Sequence, residues 1–211
     1  MLDRRDMMLG GAALALAGCT GMAARGGNSL VPSAMTPDAF TPILTDLPHA
    51  EGAAAAPDGS LFFSGGGGAV GVRSKEGQVR QIGAPLMPTG IAVDPQGRVI
   101  IANMGLLNKG PGPLQRVDPA TGTVETLVDQ LEGRTLVASN GPVAARDGWL
   151  YCTHSTWGPV ANIGTTQPQG FIYAVAPDGT ASIVARDLRG ANGLCLSPDE
   201  RHLYCALTAE G

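Results

Sequence analysis

The sequence predicts an all-β protein, a β-propeller of four-stranded blades, from three observations. A sequence pattern recurs four times after about residue 43, and strand-like runs lie between its copies. No long helical period follows the N-terminal segment. Repeats of about 40 to 50 residues that each supply four strands are typical of propeller blades around a central channel.

Each copy of the pattern is a polar residue, usually followed by Gly, then a short apolar strand, a turn and a second β-rich strand. The copies are EGAAAAPDGSLFF from Glu51, TGIAVDPQGRVII from Thr89, NGPVAARDGWLYC from Asn140 and NGLCLSPDERHLYC from Asn192. Their starts are 38, 51 and 52 residues apart. A β-sandwich, the main alternative, does not predict hairpins that restart at one fixed internal offset.

The outer strands of each blade are predicted between these hairpins. The segments QVRQIG, LQRVDPATGTVETLV and FIYAVAPDGTASIVA supply β-like runs around a Gly or Asp-Gly turn, which is a hairpin signal. One repeat is therefore about four strands. The chain up to residue 211 holds about three and a half such blades.

The polar residues that open the repeats predict a channel site. The innermost strand of a blade begins near the channel mouth, so we expect Glu51, Thr89, Asn140 and Asn192 to face one another. The glycine after each is expected to let the backbone turn tightly. Oxygen ligands from separate blades suit Ca²⁺ or a similar cation. Polar residues at strand starts also satisfy loop backbone groups, and that alternative stays open.

Residues 1–19 are predicted to be an export signal. Arg4 and Arg5 precede an uncharged run, 7–18, that is too short for a membrane span of about 20 residues. The paired arginines indicate the twin-arginine route. Leu-Ala-Gly before Cys19 resembles a lipobox, which predicts lipidation of Cys19 and a periplasmic lipoprotein held at the membrane only by this anchor. An ordinary cleaved signal is the alternative.

Composition separates a linker, 20–42, from a globular domain, 43–211. The linker is rich in Gly, Ala, Pro, Ser and Thr. The net charge of -4, with no Lys/Arg cluster beyond the signal, argues against a nucleic-acid partner. Cys195 and Cys205 flank the turn SPDE, so they could form a cross-strand disulfide or remain unpaired.

With the repeats in register, the chain resembles the regucalcin/gluconolactonase family of six-bladed propellers. The resemblance runs from about residue 44 to the end and is strongest in GFIYAVAPDGTASIVARDLRGANGLCLSPDERHLYCA. LEGRTLVASNGPVAARDGWLYCTHSTWG and AEGAAAAPDGSLFFSG resemble two further family segments.

The resemblance implies a hydrolase of a small lactone or sugar-derived ester, with a small-molecule substrate, and the N-terminal signal predicts that it is exported. It implies one divalent metal in the channel, with Ca²⁺ as first choice and Zn²⁺, Mg²⁺ or Mn²⁺ as alternatives. Carried over by motif, the metal ligands are Glu51 and Asn192, and Asn140 contacts the substrate or completes the metal shell. The third ligand and expected catalytic base, an Asp, would lie beyond residue 211.

Several positions depart from the family pattern. The usual Pro-Asn-Asp is Ser139-Asn140-Gly141, and Leu207 stands where relatives often carry Asp. These changes support the alternative of a non-catalytic propeller that binds a ligand or protein partner, or an inactive fragment. His154 is expected in an exposed loop, with a channel-side proton shuttle as the alternative. A role for His49 behind Glu51 is a further hypothesis.

Overall fold

The computed structural model describes residues 40–47, 50–65, 68–163 and 168–208. Cys19 and His49 lie outside the described residues. Within the described part, no helix is long and apolar enough to cross a membrane, and two short 3-10 helices cover Gly105–Leu107 and Val160–Asn162. The strands are β1 (Ala53–Ala55), β2 (Leu61–Ser64), β3 (Val70–Arg73), β4 (Val79–Ile82), β5 (Pro88–Val93), β6 (Val99–Asn103), β7 (Leu114–Val117), β8 (Val124–Val128), β9 (Gln130–Leu131), β10 (Arg134–Thr135), β11 (Ser139–Ala144), β12 (Leu150–His154), β13 (Gly170–Val175), β14 (Ala181–Leu188), β15 (Ala191–Leu196) and β16 (Leu203–Leu207).

These strands form propeller blades, which confirms the predicted fold class. Three antiparallel sheets have the strand orders β1-β2-β3-β4, β5-β6-β7-β8 and β11-β12-β13-β14, and a fourth sheet is the pair β15-β16. The first strands lie side by side, β1 against β5, β5 against β11, and β11 against β15. They therefore follow one another in the way that inner strands surround a common channel.

A recurrent turn explains the fixed offset between the two strands of each repeat. Gly59, Gly97 and Gly148 have φ angles of +88°, +79° and +91°, and each donates its N–H to the carbonyl three residues earlier. Glycine adopts this left-handed conformation without steric cost. The last repeat has Glu200 at φ +56° instead, and its carboxylate accepts the Arg146 N–H at 3.0 Å.

Three layers of apolar side chains lie between neighbouring blades. The layer between the first two blades includes Phe62 and Ile101, the next includes Ile100 and Phe171, and the third includes Tyr151. Side chains alternate between the two faces of a strand, so neighbouring residues such as Ile100 and Ile101 enter different layers. Apolar layers consequently cover both faces of the second sheet, β5-β6-β7-β8, and of the third, β11-β12-β13-β14. Neighbouring blades therefore share a core.

The small hairpin β9-β10 was not predicted. Glu132 and Gly133 connect its strands with φ angles of +52° and +75°. Two positive φ angles are typical of the type I′ turn, which two-residue hairpin loops favour. Leu131 and Leu136 are buried in the layer between the second and third blades. Strands of two residues are too short to show a sequence period.

Cys195 and Cys205 remain unpaired, which settles the alternatives left by the sequence. Cys195 lies opposite Tyr204, whereas Cys205 lies opposite Leu194. The two cysteines are thus offset by one residue, and their side chains point to opposite faces of the hairpin. Both are free thiols; Cys195 is exposed and Cys205 is buried.

Candidate functional site

The four polar residues that open the repeats occupy successive blade starts in close contact. A Cβ added to Gly52 would lie 2.1 Å from the Thr89 carbonyl oxygen, and one added to Gly90 would lie 1.8 Å from that of Asn140. A Cβ on Gly141 would lie 2.4 Å from the Asn192 carbonyl oxygen. The polar-residue backbone of one blade therefore lies against the glycine of the preceding blade.

This contact corrects the interpretation of the glycines as tight-turn residues. Gly52, Gly90 and Gly141 do not have left-handed φ angles, so they are not required for a special turn. They are required because any side chain would collide with the next blade's backbone. Gly193 holds the same position in the last repeat, and no described atom lies within 4 Å of its Cβ position.

Asn140 is buried, and its side-chain amide is hydrogen-bonded to the residue that follows the neighbouring strand, β12. Its side chain is 6% exposed, and its Nδ2–H donates to Ser155 Oγ at 3.0 Å. Ser155 Oγ donates in turn to the Ala191 carbonyl of the next blade at 2.7 Å. Since Nδ2 is bonded to the protein, Oδ1 remains as the acceptor of this amide.

Asn192 has a similar environment in the last repeat. It is half-buried, and its Nδ2–H donates to Thr208 Oγ1 at 3.2 Å. Its backbone carbonyl accepts the Thr153 hydroxyl at 2.5 Å. The side-chain oxygen of Asn192 is thus presented by a bonded amide, as it is in Asn140.

Glu51 and Thr89 differ from the asparagines. Glu51 is exposed, and its backbone N–H donates to the buried Ser64 hydroxyl at 3.2 Å. Thr89 is only 2% exposed, and its hydroxyl donates to the Ala102 carbonyl of its own sheet at 3.1 Å. Thr89 therefore has a structural hydrogen bond, while Glu51 carries the carboxylate of the four positions.

His154 is wholly buried, so the expected exposed-loop position is wrong. It ends β12 with its ring 4.6 Å from that of Phe171 and 4.3 Å from that of Trp157, between ring centroids. Nε2 accepts the N–H groups of Val137 and Ala138, both at 3.2 Å, which places the proton on Nδ1. Burial, and secondarily the Arg134 charge, lowers the pKa of His154 to about 3.

The donor types at the blade starts fit a hard cation. Carboxylate and amide oxygens are the ligands that Ca²⁺ prefers, and Glu51, Asn140 and Asn192 supply them. Among the described residues, no group of three His, Cys, Asp or Glu side chains could hold a metal ion. A cation at the blade starts would therefore depend on amide oxygens and on one identified carboxylate.

A separate cavity of about 550 Å³ lies at the opposite, turn-bearing end of the second and third blades. Its walls include Asp94, Gln96, Arg116, Asp147 and Asp178. None of the four blade-start residues lines it. It is a polar cleft between turns, remote from the predicted channel site.

A family model described as the SMP-30/Gluconolactonase/LRE-like region matches residues 44–211. The chain belongs to this family. A gluconolactonase from Zymomonas mobilis is 28% identical over 132 residues, which cover 61% of this chain and 34% of that protein. A solved gluconolactonase structure from Xanthomonas campestris is also 28% identical, with a TM-score of 0.61, over 77% of this chain and 55% of the other.

This chain also shares its fold with a calcium-binding protein, regucalcin, from Agrobacterium tumefaciens. Its TM-score is 0.56 at 22% identity, over 75% of this chain and 50% of that structure. The chain thus spans about a third of the curated relative and about half of these solved structures. The matches confirm the family and the propeller fold that the repeat starts indicated.

Proposed function

We propose that this protein is a metal-dependent hydrolase of a small lactone or a sugar-derived ester. The observation that carries the proposal is that Glu51, Asn140 and Asn192 lie at the starts of the first, third and fourth blades, inside the segment that matches the family. Similarity to gluconolactonases supports lactones as the substrate class. The blade starts supply oxygen donors to one end of the inner strands, where a small polar molecule would enter.

In this proposal Glu51 and Asn192 hold a divalent cation, with Ca²⁺ as first choice and Zn²⁺, Mg²⁺ or Mn²⁺ as alternatives. Glu51 contributes negative charge, and Asn192 contributes Oδ1 because Thr208 occupies its Nδ2–H. Further ligands are needed, since Ca²⁺ takes six to eight oxygens. When bound, such a cation polarises a lactone carbonyl and favours attack by water.

Asn140 is proposed to bind the substrate. Its Oδ1 can accept a hydrogen bond from a sugar hydroxyl while Ser155 fixes the amide plane. A buried amide that accepts a ligand hydroxyl discriminates against analogues without that hydroxyl, because its oxygen would then be left unpaired. Asn140 would therefore contribute to the choice of substrate more than to the chemistry.

Hydrolysis of gluconolactone by the complete gene product, followed in a pH-stat with and without a chelator, tests this function. We expect chelation to abolish hydrolysis and Glu51→Gln to weaken cation affinity by at least about 10-fold, as loss of even outer partners of a metal site does. Glu76→Gln is the matched control, because Glu76 is an exposed turn residue. Equal cation affinity in the two variants contradicts the assignment of Glu51.

A non-catalytic propeller that binds a ligand or protein partner is the second candidate. The bonds of Thr89 to its own sheet and of both asparagine amides to neighbouring hydroxyls favour it, because these polar groups also serve the blade contacts. Cation binding without hydrolysis of any lactone in a substrate panel would support this function over the first.

We also propose that residues 1–19 direct export, that 20–42 link the anchor to the domain 43–211, and that the protein is a periplasmic lipoprotein. The support is the paired arginines and the lipobox-like tetrapeptide that ends at Cys19. Metabolic labelling with radioactive palmitate in a bacterial host is expected to mark the wild type and not Cys19→Ser. Label in both variants, or in neither, contradicts lipidation at Cys19.

A further inference from the structure

Ser155 is bonded to both asparagine-bearing strands at once. The residue is 1% exposed and directly follows β12. Its Oγ accepts from Asn140 Nδ2 at 3.0 Å and donates to the carbonyl of Ala191, the residue before Asn192, at 2.7 Å. One hydroxyl therefore joins the side chain of one predicted site residue to the backbone beside the other.

Thr153 makes a second bridge between the same two strands. Its Oγ1 accepts the Gly141 N–H at 2.8 Å and donates to the Asn192 carbonyl at 2.5 Å. Thr153 is fully buried. Two hydroxyls of one short segment thus set the start of β15 against the start of β11.

The hydroxyl contact is repeated in the last blade. Thr208 directly follows β16, as Ser155 directly follows β12, and it accepts from Asn192 Nδ2 at 3.2 Å. In both hairpins a hydroxyl after the second strand holds the amide that opens the first. The Asn140 amide keeps its oxygen in one direction, because the Ser155 hydroxyl donates its own hydrogen to the Ala191 carbonyl and can only accept from Asn140.

We propose that Ser155 is a positioning residue, which fixes the amide of Asn140 and the separation of Asn140 from Asn192. Thr208 has the corresponding role toward Asn192. The inference rests on the proposed function, because it gives Ser155 its effect through a residue assigned to the substrate. Ser155 would act by holding the Asn140 Oδ1 ready, so its loss should weaken substrate binding more than it slows turnover.

The test compares Ser155→Ala, Ser155→Thr and Ser139→Ala in the complete gene product. Ser139 is the matched control, because it is equally buried and adjacent to Asn140, but its hydroxyl bonds to Tyr173 in the core at 2.8 Å. The readouts are the side-chain amide NMR signals of Asn140 and the kcat and KM for gluconolactone. We expect Ser155→Ala to shift these signals and raise KM about 10-fold, with kcat less affected, and Ser155→Thr to restore both.

The outcomes separate this inference from the proposed function. Unchanged Asn140 amide signals in Ser155→Ala overturn it, as does an equal KM in Ser155→Ala and Ser139→Ala. Shifted signals in a protein that hydrolyses no lactone support the positioning role and reject the function instead. Thr208→Val covers the case of a misfolded Ser155→Ala, because Thr208 is exposed; it is expected to shift the Asn192 amide signals, and unchanged signals there overturn the inference.

Discussion

The glycines that follow the polar blade-start residues are determined by contacts between blades. The carbonyl of Asn140 occupies the space that a side chain on Gly90 would need, at 1.8 Å from the Cβ position. Backbone atoms cannot yield as a flexible side chain can, so the strands themselves would have to separate. The pattern of a polar residue and Gly thus serves packing as well as the predicted channel site.

Gly90→Ala is expected to lower the free energy of unfolding by at least about 2 kcal/mol, as overpacking at a backbone contact does. Gly65→Ala is the control, because its φ is not left-handed and its Cβ would lie 3.5 Å from the nearest described atom, on the Phe63 ring, which is ordinary contact distance. It should change stability by less than about 0.5 kcal/mol. Urea unfolding measures both; equal losses would refute the contact explanation.

The buried His154 makes the free energy of unfolding depend on pH in the acid range. Its pKa is about 3 in the folded state and about 6.5 in an unfolded chain, so the unfolded chain binds the proton more tightly. The stability that neutral His154 contributes to the folded state is fully present above pH 6.5 and is lost as pH falls toward 3. The expected slope reaches about 1.4 kcal/mol per pH unit.

His154→Gln removes this titration while keeping a hydrogen-bond acceptor. The variant is expected to be less stable at neutral pH, since it loses the ring contacts with Phe171 and Trp157. Its stability should fall less steeply between pH 6 and pH 4. Urea unfolding midpoints measured across that pH range test this. If the midpoints of the wild type and His154→Gln fall in parallel with pH, His154 is not the source of the acid sensitivity.

At the level of strands, pairing register determines which chemistry the cysteines can undergo. A shift of one residue between Cys195 and Cys205 puts their thiols on opposite faces of β15-β16. Burial raises the pKa of the Cys205 thiol to about 11 and that of Cys152 to about 12. Reactive thiolate is therefore scarce at both buried positions.

Iodoacetamide is expected to label Cys195 in the native protein and to reach Cys152 and Cys205 only after unfolding. Peptide mass mapping of labelled samples reads each cysteine separately. The unfolded, reduced protein, in which Cys152, Cys195 and Cys205 all react, is the control. A peptide pair joined through Cys195 and Cys205 in the untreated protein would show that the register is different.

At the scale of the whole molecule, shared apolar layers connect the blades. Ile101 lies in the layer between the first and second blades, whereas Trp157 and Trp149 pack against the two later layers. Each layer is formed by two sheets, so loss of one exposes a face of its neighbour. This arrangement favours cooperative unfolding of adjacent repeats.

Ile101→Ala is expected to destabilise the protein by about 2–5 kcal/mol, the usual cost of such a truncation in a core. Because the blades share layers, tryptophan fluorescence should report the loss even though both tryptophans lie in other layers. Far-UV circular dichroism should give the same midpoint. A fluorescence midpoint that stays at the wild-type value would mean that the blades unfold independently.

Much of the architecture follows from local sequence signals. The Asp-Gly turns and the alternating runs specify hairpins within about 15 residues, and their recurrence predicted blades and the order of their strands. The hairpin β9-β10 was missed because its strands are too short to show a period. The predicted ligands Glu51 and Asn192 remain hypotheses, while their places at the starts of the first and fourth blades agree with the repeat.

The sequence by itself determined the four-stranded units and the polar residues that open each repeat, because these depend on turn chemistry and periodicity within one blade. Only the tertiary structure decided why Gly90 must be glycine, that His154 is buried, and that Ser155 links Asn140 to Ala191. Those features join residues up to about 50 positions apart. Such contacts arise only when separate blades pack, so no local pattern encodes them.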